Sequence, residues 1–337
     1  MRGRAIRIAS AALVAWAVLG AMPSSVQGQK MIIGQGFLNT NALPLWIALD
    51  QGYFKKHGVE VELTFIRGGG RVIAALLAGE VRFATVAVTQ VVGPVAQGAD
   101  PVVILSLVNK MPYLFMAAGH LRSPGDLRGK KIGVATFGGA AYVASHMVLR
   151  QFGLDPKRDQ ITLIQIGTEP ERLAALLAGS IDAAMMAADV AARLPVPPFR
   201  RMLDLRTADI PWQHSSLITT RSFLKANPRA VEGVMRAIID GFAFTLDPAN
   251  KATVKQSIAR HLRIEKANEL EDAYRDGIET LTSNPVPSLD GGAMVLKLMA
   301  ELELQKEAAR LTPSDIMDPS LVERLGREGA LDRLKKR

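Results

Sequence analysis

The chain has no cysteine at all, which excludes disulfides, thiolate metal sites and a lipid attached through a cysteine. Histidine is scarce too: the five residues at 57, 120, 146, 214 and 261 are dispersed, with no metal-ligand spacing among them. Phosphate-cradling P-loops, HExxH zinc motifs and GxSxG nucleophile elbows are missing, and the stretch GQGFLN (34–39) lacks the third glycine of a dinucleotide fingerprint. Beyond residue 28 no segment approaches the ~18 consecutive apolar residues of a membrane span. Aromatics make up only 5% of the chain. The net charge of +9 comes from scattered groups such as Lys55-Lys56, Lys130-Lys131 and Arg200-Arg201, with no basic stripe interleaved with aromatics. A nucleic-acid partner is therefore not expected, and the excess charge reads as solvated surface that steers anions at long range.

What remains is a globular composition, 48% hydrophobic and 22% charged over 337 residues, long enough for two domains. Residues 1–28 stand apart. Arg2, Arg4 and Arg7 form a basic n-region, IASAALVAWAVLGA (8–21) an apolar h-region, and Val26 and Gly28 the small residues before a cut ahead of Gln29. That is the layout of a cleaved secretory signal, which points to the periplasm as the location of the mature protein.

The chain repeats itself at an offset of 100 residues. GGGRVIAALLAGEVRFATVA (68–87) lies over TEPERLAALLAGSIDAAMMA (168–187), VELTFIRG (61–68) over ITLIQIGT (161–168), and MIIGQGFLNTNALPLWIAL (31–49) over KIGVATFGGAAYVASHMVL (131–149). Each copy parses into strand (31–35, 131–135), glycine-rich loop, helix (42–50, 140–152), strand (59–66, 160–166), helix (70–78, 170–178) and strand (81–87, 181–186). The second helix closes at Gly79 or Gly179, where a left-handed residue is cheapest. Alternating short strands and helices mean βαβ crossovers and two lobes, each a mostly parallel sheet flanked by helices. The phrase ALLAG is read as the buried end of a packed helix.

Two strand-like runs in 101–119, broken at Lys110-Met111-Pro112, separate the copies, and a similar stretch (196–220) follows the second. From Ser222 onward the pattern is helical, with helices expected at 227–246, 251–262, 266–282, 289–310 and 319–335. These have no βαβ unit of their own and must pack on an existing lobe. The expected division is lobe 1 at 30–110 plus 212–337, lobe 2 at 118–205, and a two-stranded hinge at 111–117 and 206–211.

The segments WIALDQGYFKKHGVEVEL (46–63), GGGRVIAALLAGEVRFATVA, DLRGKKIGV (126–134), NPRAVEGVMRAIIDGF (227–242) and DPSLVERL (318–325) resemble the periplasmic solute-binding proteins of ABC importers for nitrate, sulfonates, taurine and thiamine-pyrimidine precursors. The resemblance covers nearly the whole mature chain. It implies the type II periplasmic-binding-protein fold, a small-molecule solute held between the lobes by hinge closure, delivery to a membrane permease and its ATPase, a monomer, and no cofactor. Arg82 departs from the acid usual at that step, which Asp182 keeps in the second copy. Rival readings are an enzyme on the same fold, disfavoured because the related pyrimidine synthases use a cysteine-rich motif, and a ligand-sensing subunit.

Ligands of open α/β sheets bind beyond the carboxyl ends of the strands. The repeat thus nominates three loop pairs: 36–41 with 136–141, 67–71 with 167–171, and 87–89 with 187–189. Each opens a helix whose first-turn amides suit an anion. In ATFGGAAY (135–142), Thr136 supplies a hydroxyl, Gly138 and Gly139 a close backbone, and Phe137 or Tyr142 a wall. On the other lobe, Phe37 offers a stacking face and Asn39 a polar contact. Gly70 lies between Arg67 and Arg71, either of which suits bidentate pairing with an anion. Thr89 and Asp189 occupy equivalent helix starts, and Trp212 and His214 sit on the returning hinge segment.

Overall fold

The computed structural model describes residues 30–195 and 198–335; the expected signal sequence, 1–28, lies outside them. The first lobe opens with β1 (Met31–Gln35), α1 (Leu43–Asp50), α2 (Tyr53–Lys56), β2 (Val61–Phe65), α3 (Gly69–Leu77), β3 (Phe83–Ala87), α4 (Thr89–Ala96) and β4 (Pro101–Ser106). The second follows as β5 (Leu114–Ala118), β6 (Lys131–Val134), α5 (Ala140–Gln151), β7 (Thr162–Gln165), α6 (Glu169–Leu177), β8 (Ala183–Met186), α7 (Ala188–Ala191) and β9 (Phe199–Asp204). The chain then returns through β10 (Ser215–Thr220) to α8 (Arg221–Ala226), α9 (Pro228–Thr245), α10 (Lys251–Leu262), α11 (Ala267–Thr280), α12 (Leu289–Glu301), α13 (Pro313–Ile316), α14 (Ser320–Arg327) and α15 (Asp332–Lys335).

The strand orders are β2-β1-β3-β10-β4 and β7-β6-β8-β5-β9. The repeat is visible in both: β1 and β6 pair in parallel with β2 and β3, or β7 and β8. In each sheet the reversed strand, β10 or β5, is the one that has just arrived from the other lobe. Both sheets are therefore mixed, with one antiparallel strand each, and helices flank them. This is the two-lobed α/β architecture expected from the sequence.

Helices α3 and α6 are offset by 100 residues at both ends. Val72, Ile73 and Leu76 face inward, as do Arg172, Leu173 and Leu176. The second leucine of each ALLAG phrase does not: Leu77 and Leu177 are exposed. A helix turns 100° per residue, so only one of two adjacent leucines falls on the stripe that faces the sheet. Two expected C-terminal helices also break, 289–310 at Glu303 (φ 56°) and 319–335 at Gly329 (φ 86°), where the backbone turns left-handed.

The crossings differ from expectation as well. Residues 114–117, expected in the hinge, lie inside β5, paired to β8 and β9. The chain instead changes sheets at 107–113 and 205–214. These crossings meet where the Tyr113 hydroxyl lies 3.4 Å from His214 Nε2, with the rings edge to face. Both residues are buried, and burial pushes the His214 imidazole down to about 3.

The C-terminal helices cover lobe 1. Helix α9 lies so close on α1 that a Cβ at Gly241 would stand 2.1 Å from the Pro44 carbonyl oxygen. Val234, Ile238 and Phe242 share one core with Leu45, Ile33 and Phe83. A Gly241→Ala substitution has to push the two helices apart, and a loss of about 1–3 kcal/mol, seen as a lower Tm, is expected.

His214 makes stability depend on pH. Its folded value lies below the ordinary histidine value, so the unfolded chain binds the extra proton between them. Its contribution is complete above the ordinary value of about 6.5 and is lost progressively as pH falls toward 3. Subtracting the pH profile of a His214→Gln variant from that of the parent isolates this slope, at most about 1.4 kcal/mol per pH unit within that window.

Candidate functional site

A cavity of about 430 Å³ lies between the lobes at the carboxyl ends of their strands. Lobe 1 lines it with the turn after β1 (Gly36 to Asn39), the glycine turn after β2 (Arg67 to Arg71) and Gln90 in the first turn of α4. Lobe 2 contributes the turn after β6 (Ala135 to Phe137, Gly139 to Ala141) and the turn after β7 (Gln165 to Glu169, with Arg172). Tyr113 and His214 of the two crossings also line it.

Nine residues expected at the site meet there: Phe37, Asn39, Arg67, Gly70, Arg71, Thr136, Phe137, Gly139 and His214. Five do not line the cavity. Gly138 (φ 71°) makes the left-handed turn that aims Phe137, and Tyr142 stands behind it, edge to face with Phe137 at 5.5 Å and with His146 at 4.6 Å. Thr89 is buried against its own lobe. Trp212 sits in the core, pressed by α12, where a Cβ on Gly291 would lie 2.5 Å from its carbonyl carbon. Asp189 lines a second, smaller crevice.

The two half-sites share a scaffold and differ in chemistry. Helix α3 starts at Gly68 (φ 94°) with no side-chain cap, so its first-turn amides are left without a side-chain partner beside the cavity. Glutamine 90 fills the space above Gly69, where a Cβ would approach its Cγ to 2.9 Å. In lobe 2 the equivalent helix caps itself. The Glu171 carboxylate accepts from the Thr168 amide at 2.7 Å and from its hydroxyl at 2.9 Å. Burial pushes the Glu171 carboxyl up, but those bonds and Arg67 outweigh it and hold it below its ordinary value.

Below this cap lies a buried ion pair, Glu169 with Arg172, at 3.4 Å. The guanidinium also donates to the Gly167 and Met185 carbonyls, at 2.5 and 3.1 Å. Glu169 accepts from the Ala187 amide at 3.3 Å. These contacts give both buried charges partners, as burial requires. Sequence reasoning missed Gln90, Gln165, Glu169, Arg172 and Tyr113. Two signals were present: TEPE (168–171) carries the Thr-x-x-Glu capping pattern, and Glu169 stands where the first copy has Gly69.

Three polar contacts bridge the lobes across the cavity. Arg67 Nη1 is 2.5 Å from Glu171 Oε1, Asn39 Nδ2 donates to Glu169 Oε2 at 3.3 Å, and Gln90 Nε2 reaches Thr136 Oγ1 at 3.5 Å. The lobes are thus drawn together over the site. The guanidinium of Arg71, exposed at the rim, has no hydrogen-bond or ion-pair partner among the described residues. No group of three or more His, Asp or Glu with metal-holding geometry occurs among the described residues, and no helix there is long and apolar enough to cross a membrane.

Comparison with known proteins agrees with this architecture. Residues 39–252 match the model of the family described as NMT1/THI5 like. The putative binding protein YtlA of Bacillus subtilis is 30% identical over 126 residues, a match covering 36% of this chain and 37% of that protein. A solved structure from Bordetella bronchiseptica superposes with a TM-score of 0.79 at 22% identity, covering 89% of this chain and 98% of that one. The alkanesulfonate-binding protein SsuA of Xanthomonas axonopodis, bound to MOPS, gives 0.71 at 16% identity (87% and 99% covered). The nitrate-binding protein NrtA of Synechocystis gives 0.72 at 13% identity (90% and 89% covered). Those structural likenesses show the fold, and the match to the family model, across well over half of the sequence, shows that the chain belongs to the NMT1/THI5-like family.

Proposed function

We propose that this protein is the solute-binding subunit of an ABC importer, exported to the periplasm as a monomer, where it captures a small organic anion between its lobes and presents it to a membrane permease and its ATPase. The observation that carries this reading is the unpaired Arg71 beside the uncapped Gly68-Gly69-Gly70 turn, inside an inter-lobe cavity of small-molecule size. An anionic group placed there meets a guanidinium and first-turn amides together. The rest of the solute lies against Phe37, Leu38 and Phe137, with Asn39, Gln90, Thr136 and Gln165 fixing its polar edges. Glu169 and Glu171 make the equivalent end of lobe 2 unsuited to the anion, which orients the solute with its charge toward lobe 1. The cavity is poorly equipped for proton transfer: burial leaves His214 a weak proton acceptor and pushes the neighbouring Tyr113 hydroxyl up, and Glu169 is tied to Arg172. Binding is favoured over catalysis. The SsuA and NrtA structures, named for alkanesulfonate and nitrate binding, support the choice of an anion.

The bridging contacts support capture by hinge closure, in which a solute that touches both lobes shifts the equilibrium toward the closed form. Screening alkanesulfonates, nitrate, short carboxylates and anionic heterocycles by thermal shift tests the reading. A binder at 100 times its Kd raises stability by about 2.7 kcal/mol, and a panel with no stabilising member at millimolar concentration overturns it.

With a binder in hand, Arg71 and Arg67 separate two roles. Arg71→Gln removes one charge-assisted bond to the solute and should weaken an anionic binder about 10- to 100-fold by calorimetry. Arg67→Gln removes an inter-lobe ion pair instead. It should weaken charged and uncharged binders by the same smaller factor.

A further inference from the structure

The lobes touch at a second place, away from the cavity. Helix α7 of lobe 2 lies against α11 of the C-terminal helices, and between them is a crevice of about 180 Å³ lined by Asp189, Asp272, Asp276, Glu279, Arg206 and Arg275. Asp189 and Asp276 are 4% and 5% exposed, and the Oδ1 atom of each has no hydrogen bond. The Asp189 backbone amide turns toward the Asp276 carboxylate, and both side chains line the one crevice at the lobe boundary.

The cations nearby are shared with other acids. Arg206 donates to both oxygens of Asp204, at 3.0 and 2.9 Å, and comes only to 3.7 Å from Asp276. Arg275 holds Asp272 at 2.5 Å. Arg193, just beyond α7, lies 3.8 Å from Glu269 with its Nε unbonded, and its charge offsets part of the upward push on Asp189; Arg172 belongs to Glu169. Asp276 keeps only the long contact to Arg206, Asp189 has no ion pair within 4 Å among the described residues, and Glu169 adds negative charge from α6 and Glu279 from α11.

We propose that Asp189 and Asp276 form a proton-operated latch between the lobes: one proton held between the two carboxyl groups lets α7 seat on α11, and its loss drives them apart. Two unprotonated carboxylates buried side by side repel one another and forfeit their hydration, so the closed arrangement takes up a proton that the open one, with both groups in water, releases. The electrostatics agree. Burial and the charge of Asp276 push the Asp189 carboxyl far up, and burial with the charge of Glu169 pushes Asp276 up to about 6. Acid therefore favours closure, by at most about tenfold per pH unit for each proton.

This latch rests on the hinge reading above, and its test separates the two. Because the chain has no cysteine, Lys55→Cys in lobe 1 and Lys157→Cys in lobe 2, both exposed, accept spin labels for distance measurements. Asp189→Asn imitates the protonated group with little change of shape and leaves His214 in place. The ratio of closed population in Asp189→Asn to that in the parent should exceed tenfold at pH 7.5 and approach one at pH 4.5, with Asp276→Asn behaving alike. A ratio equal at both pH values overturns the latch. If the lobes still approach one another when a stabilising solute from the panel is added, the hinge reading survives that failure; a distance fixed in every variant, pH and solute removes both.

Discussion

The two lobes are joined by two chain segments only, 107–113 and 205–214, and each ends in the strand that runs against the direction of the sheet it enters. Everything at the site depends on this exchange. The reversed strands, β5 and β10, are hydrogen-bonded on both sides within their sheets, and the two crossings are bonded to each other where the His214 amide donates to the Val108 carbonyl. Because the exchange is reciprocal, the carboxyl ends of the parallel strands in one sheet face those in the other. The turns there carry exposed backbone amides and the freedom to vary side chains without disturbing the cores.

Much of this was legible in the sequence because periodicity and duplication report the scaffold. The 100-residue offset located three strands and two helices in each lobe, and therefore the turns that surround the cavity. Its failures have physical causes. Whether Trp212 or His214 reaches the cavity depends on α12, whose Gly291 packs on the Trp212 backbone and closes that side, and no local pattern shows a contact between residues so far apart. Asp189 reads as a helix start like Thr89, yet α11 covers it and gives it another acid as neighbour. Leu77 and Leu177 show that an apolar pair in a repeated phrase need not be buried twice over.

The same duplication concealed the most informative difference. Aligned copies invite attention to what they share, AALLAG, whereas the chemistry lies two to six residues earlier, where GGGRV faces TEPER. Lobe 1 keeps its helix start bare, and the absence of side chains at Gly68 and Gly69 lets Thr136 and Gln90 approach closely. Lobe 2 fills the same position with Glu169, Glu171 and Arg172 and satisfies that helix internally.

One consequence concerns how closure and binding share the available groups. Arg67 and Asn39 of lobe 1 are already committed to Glu171 and Glu169 across the cavity, so they stabilise the closed form whatever the solute is. Arg71 and the amides of the Gly68–Gly70 turn stay uncommitted, and only a solute engages them. On the proposed solute-binding reading, such a site closes weakly on its own and firmly around the right occupant, because the differential binding that would drive the lobes together comes from groups the empty cleft leaves unused. The carboxylates lining the crevice between α7 and α11 oppose that same movement. On the proposed reading two of the inter-lobe contacts work in opposition: the cavity rim draws the lobes together through opposite charges, while the second crevice holds them apart unless a proton is present; at a third, Arg150 of α5 pairs with Glu301 of α12.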